Sequence, residues 1–182
     1  MQNTPERLSR WTVVQHWVVA LGVIVMVPLG LYFTSLEHGP LQTRLFTIHV
    51  TLGLVILVFA FPRVFQRLYR TLPEVPGGHA PWETRLAKTV QWGLIALTAL
   101  MPLIGITIIM SMGGRLAVAG VTLLPGTGVK VEWLHDATET LHWLGAWAIV
   151  GLFALHFSGA MKHVLIDKDG TVRRMLGQTV ER

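Results

Sequence analysis

The chain has 182 residues, 52% of them hydrophobic and only 14% charged, with a net charge of +5 and no cysteine. Ordinary soluble domains carry about 25% charged residues, so this composition excludes a soluble globular domain and leaves room for one small membrane domain, residues 1–182. The absence of cysteine excludes disulfides, iron–sulfur clusters, thiolate ligation of haem and covalent C-x-x-C-H attachment.

The polar arm Met1–Arg10 precedes the first charge-free run, Trp11–Leu36, which is 26 residues long. About 20 residues suffice to cross a bilayer. The run contains His16, Ala20 and Pro28. It is too long for a signal peptide, and no small-x-small cleavage site follows it closely. A tight loop around Ser35–Arg44 holds His38, Gly39 and Pro40. The second run, Leu45–Pro62, has 18 residues and carries His49 and Gly53. Arg63 at its end can snorkel to the interface. The loop Arg63–Lys88 starts as a basic helical extension and breaks at Pro73, Pro76, Gly77, Gly78 and Pro81. Thr89–Gly114 is the third run, interrupted by Pro102; prolines within membrane helices are tolerated and kink them. The outer loop, Arg115–Glu139, is mildly apolar and punctuated by Gly and Pro, consistent with a connection lying on the membrane surface. The fourth run, Thr140–Met161, carries His142, Gly145, His156 and Gly159. A basic amphipathic tail suited to an anionic inner leaflet ends the chain.

These runs predict an all-α integral membrane four-helix bundle, with helices at about 11–36, 45–66, 89–112 and 140–163. Twelve Lys and Arg fall in the arm, the middle loop and the tail; three, Arg44, Arg115 and Lys130, fall in the other two loops. That asymmetry predicts a multi-pass protein with both termini and the middle loop cytoplasmic. It also explains the net positive charge by membrane lipid rather than by nucleic acid. Tryptophans at the run edges, such as Trp11, Trp17, Trp82, Trp133 and Trp143, suit the membrane interface.

Imidazole is costly in a bilayer and usually marks function. His142 and His156 are fourteen residues apart, so their rings share a helix face about 21 Å apart along the axis. Depth pairs the rest. His16 and His156 each lie about 7.5 Å inside one membrane face, while His49 and His142 lie about 6 Å and 3 Å inside the other. Each pair can supply both axial positions of a haem iron, which predicts two b haems that carry electrons and leave no open site for oxygen. Small residues one turn from the ligands (Ala20, Gly53, Gly145 and Gly159) leave room for a flat group, although small residues also simply let membrane helices approach. His135 shares the face of His142 and is an alternative ligand, but it lies outside the apolar run. His38 and His79 read as solvated loop residues. Arg10 and Lys162 on one side, and Arg44 on the other, are candidates for haem propionates, or ordinary anchoring cations. His163 follows His156 by seven on the same face and could exchange protons at the boundary. No P-loop, G-x-S-x-G or H-E-x-x-H pattern is present. His135 and His142, seven apart, do not make the i, i+4 pair of a helical zinc site.

Several stretches together resemble bacterial cytochrome b561: Q-H-W in the first helix, I-H-V-T-L-G in the second, L-H-W-L-G-A-W in the fourth, and A-L-H-x-x-G-A-M-K-H followed by I-D-K-D-G-T-V-R-R-M. The resemblance covers nearly the whole chain. It implies a four-helix di-haem membrane cytochrome b exchanging electrons with quinone, ubiquinone being the expected substrate, and it assigns the axial ligands to His16, His49, His142 and His156. One branch of the family passes electrons from periplasmic superoxide to ubiquinone, so a superoxide:ubiquinone oxidoreductase is one implied activity. Two positions depart from the family pattern. Gln91 stands where members commonly have a histidine early in the third helix, and Val164 follows His163 where many have a second histidine. Both bear on the quinone site and leave the haem positions untouched.

Two functions follow. In the first, the chain carries electrons between the quinone pool and an unknown periplasmic redox partner or superoxide. The outer loops set Arg44, Arg115 and Lys130 against Glu37, Glu132, Asp136 and Glu139, which offers little steering of an anion. The alternative is a haem-b membrane anchor subunit of a larger dehydrogenase or hydrogenase complex, docked through the apolar outer loop.

Overall fold

A computed structural model describes residues 4, 6–69 and 80–180. The elements in order are α1 (Arg10–Thr34), α2 (Pro40–Tyr69), α3 (Pro81–Ser111), β1 (Leu116–Val118), β2 (Val121–Leu124), α4 (Glu132–Lys162), a π-helical turn (His163–Asp167) and α5 (Thr171–Met175). Four of the helices are long and apolar enough to cross a membrane, the fourth continuing through Asp167. The bundle is mostly helical, as the hydropathy predicts. His79 and the Pro/Gly break at Pro73, Pro76, Gly77 and Gly78 lie outside the described residues.

Local chemistry sets the helix ends. Ser9 caps α1, its Oγ accepting from the Thr12 N–H at 3.2 Å, a contact type worth about 1 kcal/mol. Pro40 and Pro81 occupy first-turn positions, where a missing N–H costs nothing. Glu83 reaches back to the Ala80 N–H at 3.3 Å. Helices α2, α3 and α4 therefore begin earlier than their charge-free runs, at 40, 81 and 132 rather than about 45, 89 and 140. The runs mark only the apolar part of each helix; the polar turns beyond them are helical too.

The connection between α3 and α4 contains regular structure that the sequence reading did not anticipate. Residues 116–124 form an antiparallel hairpin turning at Ala119 (φ 49°) and Gly120 (φ 82°), the positive φ pair that two-residue hairpins require. The segment between β2 and α4 is tied to the end of α3, with the Gly128 N–H donating to Gly113 O at 3.1 Å and the Val131 N–H to Ser111 O at 2.8 Å. Gly113 has φ 75°, and a Cβ there would lie 2.7 Å from the Val129 nitrogen, so no larger residue fits.

The helices pack in sequence, α1 on α2, α2 on α3 and α3 on α4, while α4 makes no extensive contact with α1 or α2. Val19, Ile56, Ala60 and Ala99 form the small buried cluster where α1, α2 and α3 meet, flanked by Val23, Met26, Phe59 and Val64. Close approach of this kind is how helices associate where lipid offers no hydrophobic drive. Gln15 is 0% exposed beside that cluster, and neither polar atom of its amide has a hydrogen-bond partner among the described residues.

The tail makes polar contacts with the N-terminal part of the chain. The Trp17 Nε1–H donates to Met175 O at 2.7 Å, the Val180 N–H donates to Glu6 O at 3.0 Å, and Arg174 is buried. The segment after α4 folds back towards the start of α1, and these contacts hold it there.

Candidate functional site

Antiparallel register brings the histidines together. Between α1 and α2, a Cβ at Gly22 would meet Ile56 and one at Gly53 would meet Met26, while Gly30 faces His49. Continued by further turns, the same register puts Arg63 level with His16. Between α3 and α4, Gly93 faces Leu152, Gly145 faces Met101 and Gly105 faces His142. The result is two layers. One contains His16 of α1 and His156 of α4, with ring centres 6.2 Å apart and planes at 55°. The other contains His49 of α2 and His142 of α4, with centres 6.1 Å apart and planes at 61°.

Those separations fit haem ligation. Two rings joined by one N–H···N bond would have centres only about 5.1 Å apart. With metal–imidazole bonds of about 2.0–2.1 Å, two rings on opposite sides of one metal atom have centres about 6.3 Å apart. The Nδ1 atoms of His16 and His49 are buried without a hydrogen-bond partner. His142 Nδ1 is buried as well, with the Met101 backbone as a polar neighbour of its ring. Buried rings of this kind suit a ligand that takes the other nitrogen. His16, His49, His142 and His156 are the residues whose paired imidazoles could hold haem.

The small residues play different parts. A Cβ at Gly159 would meet nothing within 4 Å, and one at Gly53 would meet only the Met26 terminal methyl at 3.5 Å. Both leave space beside a ligand. Gly145 instead lies against the Met101 sulfur, where a Cβ would collide, so helix contact explains it. Two further glycines escaped the sequence reading. A Cβ at Gly30 would lie 3.1 Å from His49 Cε1, and one at Gly105 3.4 Å from His142 Cε1. They set where those rings can sit. Phe33 adds an edge contact to His49, with ring centres 5.2 Å apart.

Arg63 is the cation that acts electrostatically on both His16 and His156. Read from sequence as a snorkelling end residue, it is half-buried beside that pair. The helix register gives the signal that places it. Arg10 and Arg44 are exposed. Lys162 is engaged with carboxylates, 2.9 Å from both Asp167 oxygens and 3.4 Å from Glu83 of α3. His163 Nδ1 lies 2.6 Å from Asp169 Oδ2. His135 sits in the first turn of α4 with Nε2 3.7 Å from Glu139, whereas His142 is the residue facing His49. His38 is exposed. Gln91 accepts a hydrogen bond from Arg67 at 3.2 Å, joining α2 to α3.

Residues 7–178 match the model of the family described as prokaryotic cytochrome b561. The chain is 32% identical over 181 residues to "Cytochrome b561 homolog 2" of Escherichia coli K12, covering 97% of this chain and 95% of the relative. It is 26% identical over 166 residues to "Probable superoxide oxidase CybB" of Yersinia pestis, covering 88% and 90%. It is 24% identical over 175 residues to "Cytochrome b561 homolog 1" of E. coli K12, covering 93% and 97%. With its four spanning helices and paired histidines, the chain belongs to the prokaryotic cytochrome b561 family, multi-pass bacterial membrane proteins that transfer electrons through haem b.

Proposed function

We propose that this protein carries electrons across the bacterial inner membrane through two bis-histidine b haems, between a periplasmic redox partner and the quinone pool, with ubiquinone as the exchangeable substrate. The observation that carries this reading is the pair of ring separations, 6.2 and 6.1 Å, in two layers along one bundle. The twelve-to-three division of Lys and Arg supports a cytoplasmic His16/His156 layer and a periplasmic His49/His142 layer. When bound, haem would supply one-electron transfer. The histidines hold and orient it, Gly53 and Gly159 give it room, and Arg63 supplies positive charge at the inner layer. Of the outlying cations, Arg10 and Arg44 remain candidate propionate partners, and Lys162 serves mainly the carboxylates that face it.

The relative named as a probable superoxide oxidase makes superoxide a candidate electron donor. The outer surface gives it little steering, since Lys130 is paired with Glu132 at 3.6 Å. The anchor-subunit alternative draws on the exposed apolar side chains of β2, Val121, Leu123 and Leu124; a stoichiometric partner surviving mild-detergent purification would favour it. We place the quinone site beside His163, at the membrane edge beyond the inner pair.

Reduced-minus-oxidised spectra with haem quantitation test the core of this reading. Two haems per chain are expected in the wild type and one each in His49→Ala and His156→Ala, with different spectra remaining. Full retention of both haems in either variant would overturn the ligand assignment.

A further inference from the structure

The end of α4 is built unusually. Regular α-helix stops at Lys162, one π turn covers His163–Asp167, Lys168 takes φ 52° and Gly170 takes φ 78°. This path returns two carboxylates onto one imidazole. Asp169 Oδ2 lies 2.6 Å from His163 Nδ1, and Asp167 Oδ2 lies 3.4 Å from the same nitrogen. Asp167 is already balanced by the Lys162 ammonium, which Glu83 of α3 also contacts. Asp169 is the more buried carboxylate, its side chain 7% exposed. Its other oxygen accepts from the Thr171 N–H at 2.9 Å. Burial would raise its carboxyl, but the hydrogen bonds from Thr171 and His163 outweigh that and hold it below the ordinary carboxylate range. Arg174 of α5, itself facing Glu6, adds positive charge near Asp169.

An ionised carboxylate can only accept. At 2.6 Å, therefore, His163 Nδ1 is the donor, and a neutral His163 keeps its proton on Nδ1, which leaves Nε2 the unprotonated nitrogen. We infer that Asp169 is a positioning residue that fixes this tautomer, so that Nε2 of His163 is the atom exchanging protons with bound quinone. The inference rests on the quinone site proposed beside His163. Reduction of one quinone consumes two electrons, delivered singly from the periplasmic donor, and two protons. Nε2–H of the protonated ring gives a proton to a quinone oxygen, the ring returns to its Nδ1–H neutral form, and cytoplasmic water reprotonates Nε2 for the second transfer. Quinol oxidation runs the same steps in reverse.

The test uses histidine-15N-labelled, dithionite-reduced holoprotein in nanodiscs, with His163→Gln identifying the His163 signals. Wild type is expected to show a protonated Nδ1 and a bare Nε2 when neutral; a neutral ring protonated on Nε2 overturns the inference without any variant. Asp169→Asn keeps an oxygen for Thr171 but loses the charge. It should mix the tautomers and slow quinone-dependent haem oxidation about tenfold or more, with both haem spectra intact, and Asp169→Glu should recover both properties. An unchanged tautomer in Asp169→Asn, or a changed tautomer with unchanged rate while His163→Gln is slow, refutes the role of Asp169. Unchanged quinone kinetics in His163→Gln refutes instead the quinone site itself, and the nitrogen spectra still report separately on whether Asp169 sets the tautomer.

Discussion

Gly159 offers a clean way to separate cofactor space from helix packing. It lies one turn beyond His156, and a Cβ built on it meets, among the described residues, no atom within 4 Å apart from its own stretch of helix. On protein contacts alone, Gly159→Ala should be neutral or stabilising, because glycine inside a helix costs roughly 0.5–1 kcal/mol relative to alanine. Gly159→Leu adds three further carbons to the same space. If that space receives haem held by His156, leucine competes with it directly, and the haem-to-chain ratio should fall from two towards one while the helical circular dichroism signal is unchanged. Gly145→Ala is the contrasting case. Its Cβ would strike the Met101 sulfur, and overpacking of this kind costs about 1–3 kcal/mol, so it should lower thermal stability whether or not haem is near. The assay is pyridine haemochrome quantitation together with thermal denaturation in detergent. A Gly159→Leu protein with both haems and an unshifted spectrum would refute the reasoning.

On the two-haem reading, Gly30→Ala should disturb the His49/His142 haem selectively, since the added carbon at 3.1 Å from His49 Cε1 obliges that ring to give way slightly; resolved potentiometric titration checks this, and equal shifts at both haems would count against it. Reporter fusions after Arg182 should be active only on the cytoplasmic side, given the Lys and Arg asymmetry, and periplasmic activity would reverse the labels of the two layers. Gln15→Met should raise the thermal midpoint, because a buried amide without partners costs about 1–3 kcal/mol; a lowered midpoint would mean that the Gln15 amide is satisfied in the membrane.

The spans were legible because hydropathy over about 20 residues reports on the bilayer, which acts on every helix alike. Depth along an antiparallel bundle likewise matched His16 with His156 and His49 with His142, since position within a span fixes height. What stayed hidden depends on rotation and register between helices. Gly30 and Gly105 touch His49 and His142 from neighbouring helices, and nothing in their own sequence neighbourhoods distinguishes them from other membrane glycines. Arg63 looked like an end residue because its height was clear and its direction was not. The hairpin was missed because Ala119 is an unusual residue at positive φ. The His163–Asp169 contact requires a π turn, which shifts the carboxylate off the positions that a 3.6-residue period would give.

The uneven packing of the bundle gives the paired histidines a second consequence. Helices α1, α2 and α3 share a buried apolar cluster, and α3 closes on α4 through Gly93 against Leu152 and Gly145 against Met101. Helix α4 has no comparable seam with α1 or α2. Its links to them are the two histidine layers, reinforced beyond its end by the Trp17 bond to Met175. In lipid, no hydrophobic effect drives α4 across that gap, so closure depends on van der Waals contact, polar bonds and any shared ligand. On the two-haem reading, each iron joins α4 to a different partner, α1 through His16 and α2 through His49. The same bonds that position the redox centres would then fix the fourth helix in the bundle. This accounts for why α4 needs a histidine near each end, and why it alone supplies a ligand to both layers.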